Sequence, residues 1–192
     1  MADTRTRIVD AACAQIEDTG LADLTVGDVA SRAEVSTALV HYHFATKDRL
    51  VEAACGRLAA QRSNARIRAL TGSRGLAALD AAWSLLSRAA SAGVERTWHD
   101  MALRARHDAE VRRVLAEQRE GEHAALAAKL PTLLADLGAT PAIPADEAAR
   151  AVLLLLDGAS LAIAEGVAAG EVKAAYDAFW LVLVTAGQAR AR

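Results

Sequence analysis

Apolar residues recur at three- and four-residue spacing along almost the whole chain, the period of helices buried on one side. Ile8, Ala12, Cys13 and Ile16 set the first such run, which predicts a helix from about Thr4 to Thr19, stopped by Gly20. Thr25 is placed to cap a short helix with Val26, Val29 and Ala30 on one face. Ala33, Glu34 and Val35 are too few for anything but a turn. Ser36 then caps a second short helix, Thr37 to His43, with Leu39, Val40 and Phe44 as its apolar positions. Thr46 caps a long fourth helix running from Lys47 to about Leu70. The break from Thr71 to Gly75 ends it.

Further helices are predicted from Leu76 to about Ala92, ended near Gly93, and from Val94 to about Arg106. A seventh runs from near Asp108 to about Leu137. Pro131 should kink or break it around Lys129, because an interior proline removes a backbone hydrogen bond. After a loop from Gly138 to Pro144, the eighth starts at Ala145, with Asp146 near its positive end, and stops near Ala169 and Gly170. The ninth runs from Glu171 to about Gln188, before a frayed tail ending in Ala191 and Arg192. The expected class is all-α, about nine helices. With 53% hydrophobic residues, 4% aromatics and 3 prolines, composition agrees. No internal repeat is visible.

Two short helices about a tight turn make a helix-turn-helix, whose second helix can enter the DNA major groove. Thr37, Ala38 and Leu39 open that helix and are placed to meet base edges. Ala38 and Leu39 suit a thymine methyl. Thr25 and Ser36 can cap helices and also donate to phosphates.

The same stretch resembles the tetracycline-repressor (TetR) family of bacterial regulators. The likeness runs from Arg7, Ile8, Val9, Asp10, Ala11 and Ala12 through Gly20, Leu24, Thr25 and Val26. It continues with Val29, Ala30, Val35 and Ser36, with Leu39 to Phe44, and with Lys47 to Leu50, about a quarter of the chain. Glu34 stands in the turn where the family usually has Gly or Ala. His41 stands where it often has a Tyr that contacts phosphate. The resemblance implies phosphate contacts at Tyr42, His43 and Lys47, with His41 a further candidate. It implies a DNA-binding domain over residues 1–50 and a ligand-binding and dimerisation domain over 51–192. The implied function is a repressor released from a two-fold-symmetric operator by a small molecule. An activator, a partner-controlled regulator, and a helical enzyme or carrier with an incidental helix-turn-helix are the alternatives.

Charge changes this picture little. Through residue 50 the acids outnumber Lys and Arg, so DNA binding must rest on where the donors point. Arg57, Arg62, Arg66, Arg68 and Arg74 follow with no acid from Ala53 to Leu79, a run that reads as a solvated helix face. Cys13 and Cys55, far apart in sequence, read as small core residues of a reduced, cytoplasmic protein. The N-terminus lacks an apolar signal region, and no apolar run approaches the ~20 residues of a membrane span.

In the second part, Trp83, Leu86, Trp98 and Met101 are large apolar candidates for a pocket, and His99, Arg104 and Asp157 are polar groups that could orient a ligand. Plain core packing is the competing reading for both tryptophans. The segment from Trp98 through Asp157 and Gly158 to Glu165 and Gly166 loosely resembles the C-terminal domain of choline-sensing betaine-pathway repressors. Ala151 to Leu156 is nearly all aliphatic, and Tyr176 to Val184 is apolar around most of its girth, so both helices need more than one buried side. A homodimer seam at Leu153, Leu161, Phe179, Trp180 and Leu183 is expected, which the resemblance implies is a four-helix bundle.

No metal, cofactor or catalytic site is expected. His41 and His43 point about 200° apart on a helix, and Glu95 with His99 lacks a third ligand. No nucleophile elbow or phosphate-cradling glycine loop occurs.

Overall fold

The computed structural model describes residues 3–91 and 94–190. The expectations at Met1 and Ala2, at Ala92 and Gly93, and at Ala191 and Arg192 fall outside the described residues. Among those described there are nine helices and no strand. They are α1 (Thr4–Thr19), α2 (Val26–Arg32), α3 (Thr37–Phe44), α4 (Lys47–Thr71), α5 (Leu76–Ser91), α6 (Val94–Arg104), α7 (Ala109–Asp136), α8 (Ala145–Ala164) and α9 (Ala169–Arg190).

Two compact units divide the chain, and neither is one continuous piece. The first joins the chain up to Arg62 with Arg96–Gln118; the second joins Ser63–Glu95 with Arg119 onward. The helix-turn-helix therefore shares its unit with most of α6 and the start of α7, where the sequence suggested a division after residue 50. One apolar cluster fills the first unit. It combines Ile8, Ala12 and Ile16 of α1, Val29 of α2, Val40 and Phe44 of α3 and Leu50, Ala54 and Cys55 of α4 with Met101, Val111 and Leu115. The second unit buries Leu70, Leu79, Leu126, Leu130, Leu134, Val152, Leu156, Tyr176 and Trp180. The Tyr176 hydroxyl crosses this core to donate to the Leu79 carbonyl at 2.9 Å.

Three features correct the sequence reading. α7 continues through Pro131 to Asp136 rather than breaking near Lys129. Leu126, Leu130, Leu133 and Leu134 are all buried along one side of it, and that packing holds the helix across the missing hydrogen bond. α8 stops at Ala164, five residues early. Gly166, at φ +95°, closes it: its N–H reaches the Ile163 carbonyl, and the Val167 N–H reaches Ala162, both at 3.0 Å.

The arginine run is the third. Arg57 pairs with Asp10 at 3.2 Å, and Arg62 lies over the Trp98 ring, 4.4 Å from its centroid. Arg66 is buried, ion-paired with Glu122 at 3.3 Å and bonding Asp157 at 2.8 Å and the Leu153 carbonyl at 3.3 Å. Arg119 also bonds Asp157. Arg74 pairs with Asp136 at 2.6 Å. Arg57, Arg62 and Arg66 thus cross-link helices rather than forming a solvated face, while Arg68 and Arg74 are exposed as expected. A buried charge is tolerated only when paired in this way.

Candidate nucleic-acid interface

The α2–α3 unit is built by local hydrogen bonds. Thr25 Oγ1 accepts from the Asp28 N–H at 3.1 Å, and its hydroxyl donates to the Asp28 carboxylate at 2.6 Å. Gln15 Nε2 reaches the same carboxylate at 3.2 Å. Thr25 is thus engaged as both acceptor and donor within the cap. Ser36 Oγ accepts from the Leu39 N–H at 3.2 Å, which leaves its own proton available to a phosphate. Between the two caps, Glu34 takes φ +55°, and the Val35 N–H returns to the Ala30 carbonyl at 3.0 Å. The turn demands a left-handed residue there.

α3 divides cleanly by its period. Val40 and Phe44 are buried, Leu39 and His43 are half-buried, and Thr37, Ala38, His41 and Tyr42 face outward. Tyr42 is 82% exposed, its ring edge-on to His43 with centroids 5.3 Å apart. It does not pack into the core of the head. α3 carries no acid. Lys47, in the first turn of α4, is exposed and makes no ion pair among the described residues.

A groove of about 460 Å³ beside Tyr42 adds two cations to which the sequence reading gave no contact, Arg5 and Arg49. Arg5 lies over the Phe44 ring, 5.1 Å from its centroid. The place of Arg5 just before the resemblance, and of Arg49 within it, was the available signal. The acids of the head are answered partly from within it and partly from elsewhere in its unit. Asp10 is paired by Arg57, Asp18 by Arg32 at 2.6 Å, and Asp48 by Arg104 at 3.0 Å. The Cys13 and Cys55 thiols share the core beneath, both pushed up to about 12 by burial.

The expected pocket residues are not gathered in one unit. Trp98, His99, Met101 and Arg104 fall in the first unit, and Trp83, Leu86 and Asp157 in the second. Met101 and Leu86 are core residues, and Arg104 is spent on Asp48 and Asp108. Trp83 packs on Tyr176 with centroids 5.5 Å apart, and Asp157 is held by Arg66 and Arg119. His99 is half-buried. Within the second unit, a cavity of about 530 Å³ is lined instead by Leu76, Leu79, Leu137, Trp180, Asp136 and Asp177, among others.

The residues expected at a seam divide between core and surface. Leu153, Trp180 and Leu183 face the core of their own unit, and Phe179 packs against it. Leu161 is exposed, and with it Leu154, Leu181 and Val182. Glu95, considered above for a metal, accepts from the buried Ser160 hydroxyl at 2.6 Å. No group of three His, Cys, Asp or Glu is placed to hold a metal among the described residues. Nor is any helix among them long and apolar enough to cross a membrane.

Comparison with known proteins bears on the whole of this arrangement. Residues 8–54 match the family model "Bacterial regulatory proteins, tetR family". The HTH-type transcriptional regulator BetI of Burkholderia mallei (strain NCTC 10229) is 30% identical over 176 residues, which span 87% of this chain and 83% of the relative. A Rhodococcus sp. protein described as a TetR-family transcriptional regulator has the same fold, with a TM-score of 0.74 at 20% identity, covering 96% of this chain and all of that one. The multidrug binding protein EbrR, in its complex with imidazole, is 26% identical with a TM-score of 0.63, covering 92% and 94%. Its proflavin complex is similar, at 28% and 0.59. A likeness that runs through the body as well as the helix-turn-helix makes the chain a member of the tetR family of bacterial regulatory proteins, a DNA-binding transcriptional regulator.

Proposed function

We propose that the chain binds a two-fold-symmetric operator as a homodimer and acts as a repressor released by a small molecule. The outward face of α3, free of acids and ending beside an unpaired Lys47, carries the reading. Thr37 and Ala38 meet base edges, while Ser36, Tyr42 and Lys47 hold phosphates. His41 shares the outward face and adds a donor there. The corner between α6 and α7 packs in the same unit as the helix-turn-helix, which supports reading it as part of the DNA-binding head.

Dimerisation rests on the exposed stripe Leu154, Gly158 and Leu161 of α8, with Val182 of α9. A Cβ added at Gly158 would meet nothing within 4 Å, so a partner helix has room to approach closely. Two heads in one dimer then meet major grooves about 34 Å apart, or a multiple of that. Release by a small molecule is supported by EbrR, whose structures hold imidazole and proflavin. Such an effector must bind the DNA-free state better than the DNA-bound one, or it shifts nothing.

Selection of duplexes from a random-sequence pool tests the operator. Tyr42→Ala and Lys47→Ala are expected to weaken binding alike for every selected duplex, and Lys47→Ala to reduce the salt slope by about 1 per contact. Thr37→Ala is expected to reorder the duplexes instead. Full affinity in a folded Tyr42→Ala protein would overturn the phosphate assignment.

A further inference from the structure

Directly after Lys47, the first turns of α4 carry Asp48, Arg49 and Glu52, and all three are tied to the corner between α6 and α7. Arg104, the last residue of α6, donates from Nη2 to Asp48 at 3.0 Å and from Nε to Asp108 at 3.1 Å. Arg113 of α7 donates to Glu52 at 2.8 Å and also holds Glu110 and Glu117. Arg49 bonds Glu52 at 2.8 Å and lies 4.0 Å from Glu110. The corner is itself fixed by Asp108, whose Oδ1 accepts from the Glu110 and Val111 N–H groups, each at 3.1 Å. The Val111 N–H, and Arg104 after it, hold the Asp108 carboxyl below the usual range. All of these groups lie in the first unit.

Asp48 is the exposed member, with 81% of its side chain open, and it adjoins the residue read as a phosphate contact. Affinity for DNA is dominated by phosphate charge, so an unanswered carboxylate at this point opposes binding. Arg104 answers it from 56 positions away in sequence. Its guanidinium is in turn held by Asp108, so the neutralising charge has a fixed place.

We propose that Arg104 is a positioning residue for DNA binding: it neutralises Asp48 so that the first turn of α4 can present Lys47 to a phosphate. The inference rests on reading Lys47 as a phosphate contact. It moves Arg104 from the ligand pocket, where sequence alone put it, to the support of the DNA head. Arg104 acts through Asp48 and does not itself touch the duplex.

The test measures full-length protein on two probes, a duplex selected by the wild type and a mixed-sequence duplex. Arg104→Ala is expected to weaken binding to both by roughly fivefold at low salt, the scale of one solvent-exposed neighbouring charge. The loss is expected to shrink as salt rises, because the exposed Asp48 carboxylate is then screened. Adding Asp48→Asn should restore most of the loss. If Arg104 touches phosphate directly, Asp48→Asn restores nothing; that result overturns the proposal, as does wild-type affinity in Arg104→Ala. Should Arg104→Ala lower the melting temperature, Asp48→Asn alone decides. It must bind as well as the wild type or better, and weaker binding refutes the neutralising role. A wild type that selects no duplex would count against the operator reading, while the mixed-sequence probe still tests Arg104.

Discussion

Glu34 holds a left-handed backbone, φ +55°, at the centre of the turn between α2 and α3. Such a conformation costs a residue with a Cβ roughly 1–2 kcal/mol relative to glycine. Its side chain is exposed, so nothing in the core repays that cost. Glu34→Gly is therefore expected to stabilise the protein by about 1 kcal/mol, less a part for the freedom glycine loses on folding. Urea denaturation reads the change as a higher midpoint at constant slope, and a lower midpoint refutes the strain. The family resemblance marked this position, because Gly or Ala is usual there; the sequence did not say why. Cap residues were more openly legible. Thr25 and Ser36 bond their own helix N-termini, a relation set by three residues of spacing and nothing distant. Arg104 was illegible, because its partner Asp48 is brought to it only by the fold.

Helices in this chain were read correctly wherever their own residues decided them. α1, α3 and the start of α4 follow from period and caps. The break in α7 and the end of α8 were misjudged because packing and one backbone angle decided them. Pro131 lies on the exposed side of α7, while the buried leucines around it keep the helix whole. The missing backbone hydrogen bond is then a cost carried without benefit. Pro131→Ala is expected to raise stability by about 1–3 kcal/mol, seen as a higher melting temperature with unchanged helical circular dichroism. No change would show that the helix has already adjusted around the ring. The expected seam residues divide for a related reason. A helix apolar on two sides says that both are covered, not which side meets its own core. Leu153 and Leu154 are neighbours in sequence, yet one is 3% exposed and the other 65%.

At the scale of the whole molecule, that distinction gives a sharp contrast between two substitutions. Leu154→Glu places a charge on the exposed stripe and is expected to yield a folded monomer. Leu183→Glu places one in the core of the second unit and is expected to yield an insoluble or unfolded chain. Sedimentation separates the two, and a wild type that is monomeric at micromolar concentration refutes the dimer. The discontinuous units have a different consequence, for evolution and for protein engineering. Exchanging heads between family members at the end of the recognised motif would strand Asp48 and Glu52 opposite a foreign corner. Arg104 and Arg113 would be left without the carboxylates they serve. The heritable module for DNA reading in this chain is then two stretches, up to Arg62 and Arg96–Gln118, which must be transplanted together. Recombination within the gene is constrained to breakpoints that keep them paired.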